Sequence, residues 1–113
     1  MHELSLLWSV RETLEEQALE HKFSKVTQVT LEIGRLACVE TAALRFCFDT
    51  VMKDSLAENA ELVILEIQGA GICRQCGERS EMESLYSPCT HCGSLRVELV
   101  QGIDMKIKDL IVI

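Results

Sequence analysis

Apolar residues recur every three or four positions near the start of the chain: Leu4, Leu7, Val10, Leu14 and Ala18. That spacing lines one side of a helix and predicts one over residues 4–22. Arg11, Glu12, Glu15, Glu16 and Glu20 fall mostly off the stripe. Glu3 lies near the helix start and Lys22 near its end, where the helix dipole favours an acid and a base respectively. Trp8, the single tryptophan, is expected to pack in the core, with partner docking as its other use. From residue 26 the period falls to two. Val29, Leu31 and Ile33 alternate with Gln28, Thr30 and Glu32, so a strand over 26–33 buries one face and Gly34 ends it. Leu44, Cys47, Phe48 and Val51 return to helical spacing and predict a second helix over 41–56, capped by Thr41. Cys47 on that stripe reads as a small core hydrophobe, and Cys38 ahead of it as a free thiol.

Residues 60–67 form the next expected strand. Val63, Leu65 and Ile67 lie on one face, Leu62 and Ile64 on the other, and apolar residues on both faces suggest an interior place in a sheet. Gly69 and Gly71 are read as a loosening of the chain, residues 95–100 as a short ribbon strand, and Gly102 as an exit. Ile103, Met105 and Ile107 then alternate with Asp104, Lys106 and Lys108, giving a last strand that runs into residues 110–113. The order helix, strand, helix, strand, insert, strand predicts an α+β fold: two helices packed on a small, about three-stranded sheet. The expected domains are a helix-sheet domain of residues 1–69 and 101–113 and a module of residues 70–100 inserted in it.

The insert carries the chemistry. It reads Cys73-Arg74-Gln75-Cys76-Gly77 and, further on, Cys89-Thr90-His91-Cys92-Gly93, with twelve residues between Cys76 and Cys89. Two residues between cysteines let both sulfurs meet one ion. The glycine after each pair suits a backbone that swings past the metal at positive φ with N–H groups aimed at sulfur. Four thiolates around one ion are the closed tetrahedral set of structural zinc, so the insert is read as a four-cysteine, zinc-ribbon-like module of Cys73, Cys76, Cys89 and Cys92. Iron in a rubredoxin-like site is the main competing metal. A module with so little apolar content draws much of its folding energy from the metal. A closed site leaves no open position for catalysis.

Charge narrows the rest. The formal net charge is −7, and four thiolates with one Zn²⁺ would add about two negative charges. Between the knuckles Arg74, Arg79 and Arg96 are offset by Glu78, Glu81, Glu83 and Glu98, so no basic face for nucleic acid is expected. There is no secretory signal pattern and no apolar run of membrane-spanning length, and paired cysteines suit a reducing compartment; the expectation is a cytoplasmic protein. No Ser-His-Asp order, zinc-protease motif or phosphate loop is present, so no enzyme activity is expected.

Three histidines remain. His21 reads as a helix-terminal residue and His91, inside the second knuckle, as lying outside the metal. His2 differs by position. The terminal amine, the following amides and the imidazole lie within a few bonds and can close five- and six-membered chelate rings, a nitrogen set suited to square-planar Ni²⁺ or Cu²⁺. Bond counting leaves that open beside the plainer reading of an ordinary second residue.

Met1-His2-Glu3-Leu4-Ser5, Leu31-Glu32-Ile33-Gly34, Val39-Glu40, Ala43-Leu44-Arg45-Phe46, the two knuckles and Gln101-Gly102 together resemble the HypA/HybF family. These are nickel metallochaperones for maturation of [NiFe] hydrogenases. The resemblance spans essentially the whole chain. It implies that His2 is the essential Ni(II) ligand, helped by the Met1 amine, the backbone nitrogens of His2 and Glu3, and the Glu3 side chain. It assigns Cys73, Cys76, Cys89 and Cys92 to structural Zn(II). It implies a HypB-type GTPase and the [NiFe] hydrogenase large-subunit precursor as partners, with urease maturation proteins as further ones in some bacteria. Family members with histidines flanking the knuckles tune their zinc site; here only His91 stands there. Two other readings compete: a zinc-ribbon interaction module without nickel, and a rubredoxin-like electron carrier.

Overall fold

The first helix, α1, runs His2–His21 and buries Leu7, Val10 and Leu14, as its stripe requires. The protein is seen here as a computed structural model that describes residues 2–113, and of His2 the backbone alone. Lys22 follows α1 at φ 58, a left-handed residue of the kind that closes a helix end. Trp8 departs from expectation. It is 47% exposed, and the Arg11 guanidinium lies 5.1 Å from its ring centroid. Trp8 follows the stripe residue Leu7, so it sits about 100° round the helix from the buried side, where a cation can cover the ring face.

The second helix, α2, spans Thr41–Met52 and buries Leu44, Phe48, Val51 and Met52. Its cap is Glu40 rather than Thr41: Glu40 has extended backbone (φ −81, ψ 107) and its carboxylate accepts from the Ala42 N–H. The helix also stops short of residue 56. Asp54 turns left-handed at φ 63, and Arg11 Nη1 donates to the carbonyls of Val51 (2.9 Å) and Lys53 (3.3 Å), oxygens a helix end leaves without partners.

Strands β1 (Val26–Gly34), β2 (Glu61–Ile67) and β6 (Met105–Val112) form one three-stranded sheet in the order β2-β1-β6. The strand with apolar residues on both faces, β2, is therefore an edge, not the interior strand. Leu62, Val63, Ile64, Leu65 and Ile67 are all half-buried, so two-sided apolar character here reflects partial cover on each face. The centre is β1, which buries Val26, Val29, Thr30, Leu31 and Ile33.

Two strands that the spacing did not predict, β3 (Gly69–Cys73) and β4 (Arg79–Met82), join β5 (Val97–Gln101) in a second sheet of order β4-β3-β5. Both pairings are antiparallel, with Gly69 opposite Met82 and Cys73 opposite Val97. Gly69 and Gly71 do not loosen the chain. They are strand residues at a close approach: a Cβ on Gly69 would lie 2.5 Å from Leu36 Cδ1, and one on Gly71 would strike Val97. A register shift between Ala70 and Gly71 leaves Val100 unpaired and partly exposed.

The residues divide into two compact units. One takes Met1–Leu31, Val39–Ile64 and Ile107–Ile113, the other Glu32–Cys38 and Leu65–Lys106. The first holds an apolar core of Leu7, Leu14, Val29, Leu31, Leu44 and Phe48. The second holds the smaller β4-β3-β5 sheet and all four knuckle cysteines.

Candidate metal centre

Each knuckle is built by the same local hydrogen bonds. At the first, the Cys73 N–H donates to Glu78 O (2.9 Å) and the Gly77 N–H to Cys73 O (2.9 Å), with Gly77 at φ 79. At the second, the Cys89 N–H donates to Ser94 O (2.8 Å) and the Gly93 N–H to Cys89 O (2.9 Å), with Gly93 at φ 74. The left-handed glycines let each chain reverse within one turn. That turn points peptide N–H groups at sulfur: Gln75 and Cys76 donate to Cys73 Sγ at 3.3 and 3.4 Å, and His91 donates to Cys89 Sγ at 3.3 Å.

The four Sγ atoms lie within 4.8 Å of one another. Across the knuckles, Cys73 stands 3.6 Å from Cys92 and Cys76 stands 3.6 Å from Cys89. Cys73 and Cys89 are buried, Cys76 and Cys92 exposed. Four convergent sulfurs with inward N–H donors suit one tetrahedral ion, and they leave no open coordination position. No histidine belongs to this group among the described residues, and His91 lies outside it.

The surroundings split the thiols. The Cys76 N–H, ahead of the opposing effect of burial, pulls the Cys73 thiol down to about 6. Cys89 is lowered too, chiefly by the N–H groups of Cys92 and His91. The Glu78 N–H favours the Cys76 thiolate, but burial and the crowd of neighbouring sulfurs outweigh it and push that thiol up to about 12. Cys92 is raised by the same contest, with the Ser94 N–H on the losing side. One sulfur of each knuckle thus ionises early and the other late. A metal ion must displace protons mainly from the second kind.

The remaining expected ligands lie at the chain start. Met1 and the His2 side chain are outside the described residues. Glu3 is described: its Oε2 accepts from the Glu40 N–H at 3.2 Å, which sets this carboxylate beside the start of α2. Glu40 belongs to the stretch Val39-Glu40 that carries part of the family resemblance. The structure gives it two roles, as the α2 cap and as the backbone donor to Glu3. An acid just before an apolar helical stripe was the available signal. Cys38 is exposed at φ 59, and the half-buried Cys47 lies on α2; neither joins the sulfur cluster.

Comparison with known proteins places this arrangement. A family described as "Hydrogenase/urease nickel incorporation, metallochaperone, hypA" matches residues 1–112. A hydrogenase maturation factor HypA of Psychromonas ingrahamii is 48% identical over 110 residues, covering 97% of this chain and 96% of its own. One of Paracoccus denitrificans is 46% identical over 113 residues, covering both chains completely. The solution structure of the Ni metallochaperone HypA from Helicobacter pylori superposes with a TM-score of 0.75 at 25% identity, covering 97% of this chain and 96% of that one. A second HypA solution structure gives 0.75 at 27% identity, covering 100% and 97%. With its whole length matched, its four cysteines gathered for one ion and its fold shared, this chain belongs to the HypA family of hydrogenase/urease nickel incorporation metallochaperones.

Proposed function

We propose that the protein carries Ni(II) at its N-terminus and delivers it for maturation of [NiFe] hydrogenase, while Cys73, Cys76, Cys89 and Cys92 hold a structural Zn(II). The observation that carries this is the family match over residues 1–112, which takes in His2 and Glu3 as well as both knuckles. Coordination chemistry separates the two metals. A closed shell of four thiolates leaves no open position for an acceptor's ligand to enter. A carrier site needs ligands that a partner can replace one at a time. His2, with the Met1 amine, the backbone nitrogens of His2 and Glu3, and the Glu3 carboxylate, is such a set. An amine near ~8 and an imidazole near ~6.5 make protons compete with nickel close to neutrality, which favours release. The Glu40 N–H on Glu3 Oε2 holds that carboxylate at the start of α2, close in sequence to His2. The receiving partners are a HypB-type GTPase and the hydrogenase large-subunit precursor, with urease maturation proteins as a further route.

Calorimetric Ni²⁺ titration of zinc-loaded wild type and His2→Ala tests the assignment. Loss of tight nickel binding with unchanged zinc content is expected. Equal nickel affinity in the two proteins would remove His2 from the site.

A further inference from the structure

Beyond holding one ion, the cluster brings thiols of opposite knuckles into contact, among four sulfurs that all lie within 4.8 Å of one another. The four thiols form two cross-knuckle couples, Cys73 with Cys92 and Cys76 with Cys89, each 3.6 Å apart. In each couple one sulfur is buried and the other exposed. Partners stand 19 and 13 positions apart in sequence, against three within a knuckle. We propose that this centre is a peroxide-responsive thiol switch, which exchanges its metal ion for two disulfides, Cys73–Cys92 and Cys76–Cys89, and keeps the module folded as it does so. The step rests on the reading of these thiols as a metal site, and adds a modification chemistry to it.

The chemistry follows from access. With metal bound all four sulfurs are thiolates, so exposure decides which one hydrogen peroxide reaches. The exposed Cys92 or Cys76 sulfur attacks one peroxide oxygen. An S–O bond forms, the O–O bond breaks, and hydroxide leaves to take up a proton as water. The sulfenic acid is a poor metal ligand. The buried partner, Cys73 or Cys89, then attacks that sulfur; an S–S bond forms, the S–O bond breaks and a second hydroxide leaves as water. Each couple loses two electrons and consumes one peroxide. After two peroxides no thiolate remains and the ion is released.

Geometry favours the cross-knuckle products. Closing 3.6 Å to a bond of about 2.0 Å takes a small side-chain movement, while the N–H groups of Gln75, Cys76 and His91 hold the turns in place. Longer loops also restrict the unfolded chain more, so these bonds stabilise the module more than bonds within a knuckle would. The cross-links span the two turns that the ion bridged, and so take over its structural role.

The test uses the full zinc-loaded chain, with Cys38→Ala beside wild type to remove the exposed thiol outside the cluster. Hydrogen peroxide is titrated in, zinc release is followed with a metallochromic dye, and disulfides are mapped by peptide mass spectrometry. Cleavage after Arg74 separates Cys73 from Cys76, and fragmentation of the peptide holding Cys89 and Cys92 resolves its two bonds. The expected result is one zinc released per two peroxides, links from residue 73 to 92 and from 76 to 89, and recovery of zinc binding after dithiothreitol. Bonds within each knuckle, or sulfinic and sulfonic acids without cross-links, would overturn the switch. The reduced, metal-free protein is oxidised in parallel and must give the same two links. A wrong metal assignment would show in the starting zinc content, and a wrong pairing would show in both maps.

Discussion

Phe46 and Phe48 stand two positions apart on α2 in opposite surroundings: Phe48 is 2% exposed and Phe46 84% exposed. Residues two apart on a helix do not share a face, so the apolar stripe could claim only one of them. Phe48→Ala empties a filled core position and should cost roughly 3–5 kcal/mol. Phe46→Ala should stay within about 0.5 kcal/mol. Denaturant midpoints of the two variants at equal slope check this; a Phe48→Ala cost below about 1 kcal/mol would mean the stripe is packed loosely. The same periodicity placed Leu7, Val10, Leu14 and Leu44 correctly in the core. Trp8 lies off that stripe, and the expectation of a core place for it failed because size and apolarity say nothing of a ring's second use as a platform for Arg11. The α2 cap was misplaced by residue type: Thr41 is a better cap by type, whereas Glu40 is the residue whose backbone is extended.

At the scale of elements, both helices, the three strands of the first sheet and the last strand of the second were legible, since each carries several residues of one period. The strands β3 and β4 were not. Three of the five residues of β3 are Gly69, Ala70 and Gly71, which carry almost no apolar signal, and β4 offers only Ser80 and Met82 as inward residues. What makes them strands is close backbone approach, which only a structure displays. Gly34, Gly69 and Gly102 show how tight it is. A Cβ on Gly34 would fall inside the Gly102 backbone, and one on Gly102 would lie 2.7 Å from Gln68 O. Gly102 is also left-handed at φ 76. These backbones are clasped by Gly34 N–H to Asp104 O and Leu36 N–H to Gly102 O, each 2.8 Å. Gly34→Ala must push them apart, at a cost of roughly 1–3 kcal/mol. Hydrogen exchange should then speed up at residues 32–38 and 100–105. Unchanged protection there would mean the clasp yields without strain.

For the molecule as a whole, the sequence disclosed the metal chemistry more readily than the architecture around it. Spacing alone brought four cysteines to one point, because a Cys-x-x-Cys turn is a local structure. The unequal acidity of the four thiols was not readable, since it depends on which peptide N–H groups the folded turns aim at which sulfur. That inequality sets how zinc binding responds to pH. Between the low Cys73 thiol, about 6, and the high Cys76 thiol, about 12, the metal-free centre at neutral pH holds protons on Cys76 and on the likewise raised Cys92. Zinc must displace both, so protons oppose binding and affinity falls as pH falls. Those two displaced protons alone give on the order of a hundredfold loss per pH unit near neutrality. Below about 6, Cys73 also becomes protonated in the metal-free state, and the dependence steepens. Zinc titrations by calorimetry in buffers of different ionisation enthalpy count those protons directly. A count of two to three at pH 7.5, rising below pH 6, is the expected result. A count of four at pH 7.5 would mean that the peptide N–H groups do not hold Cys73 ionised ahead of the metal.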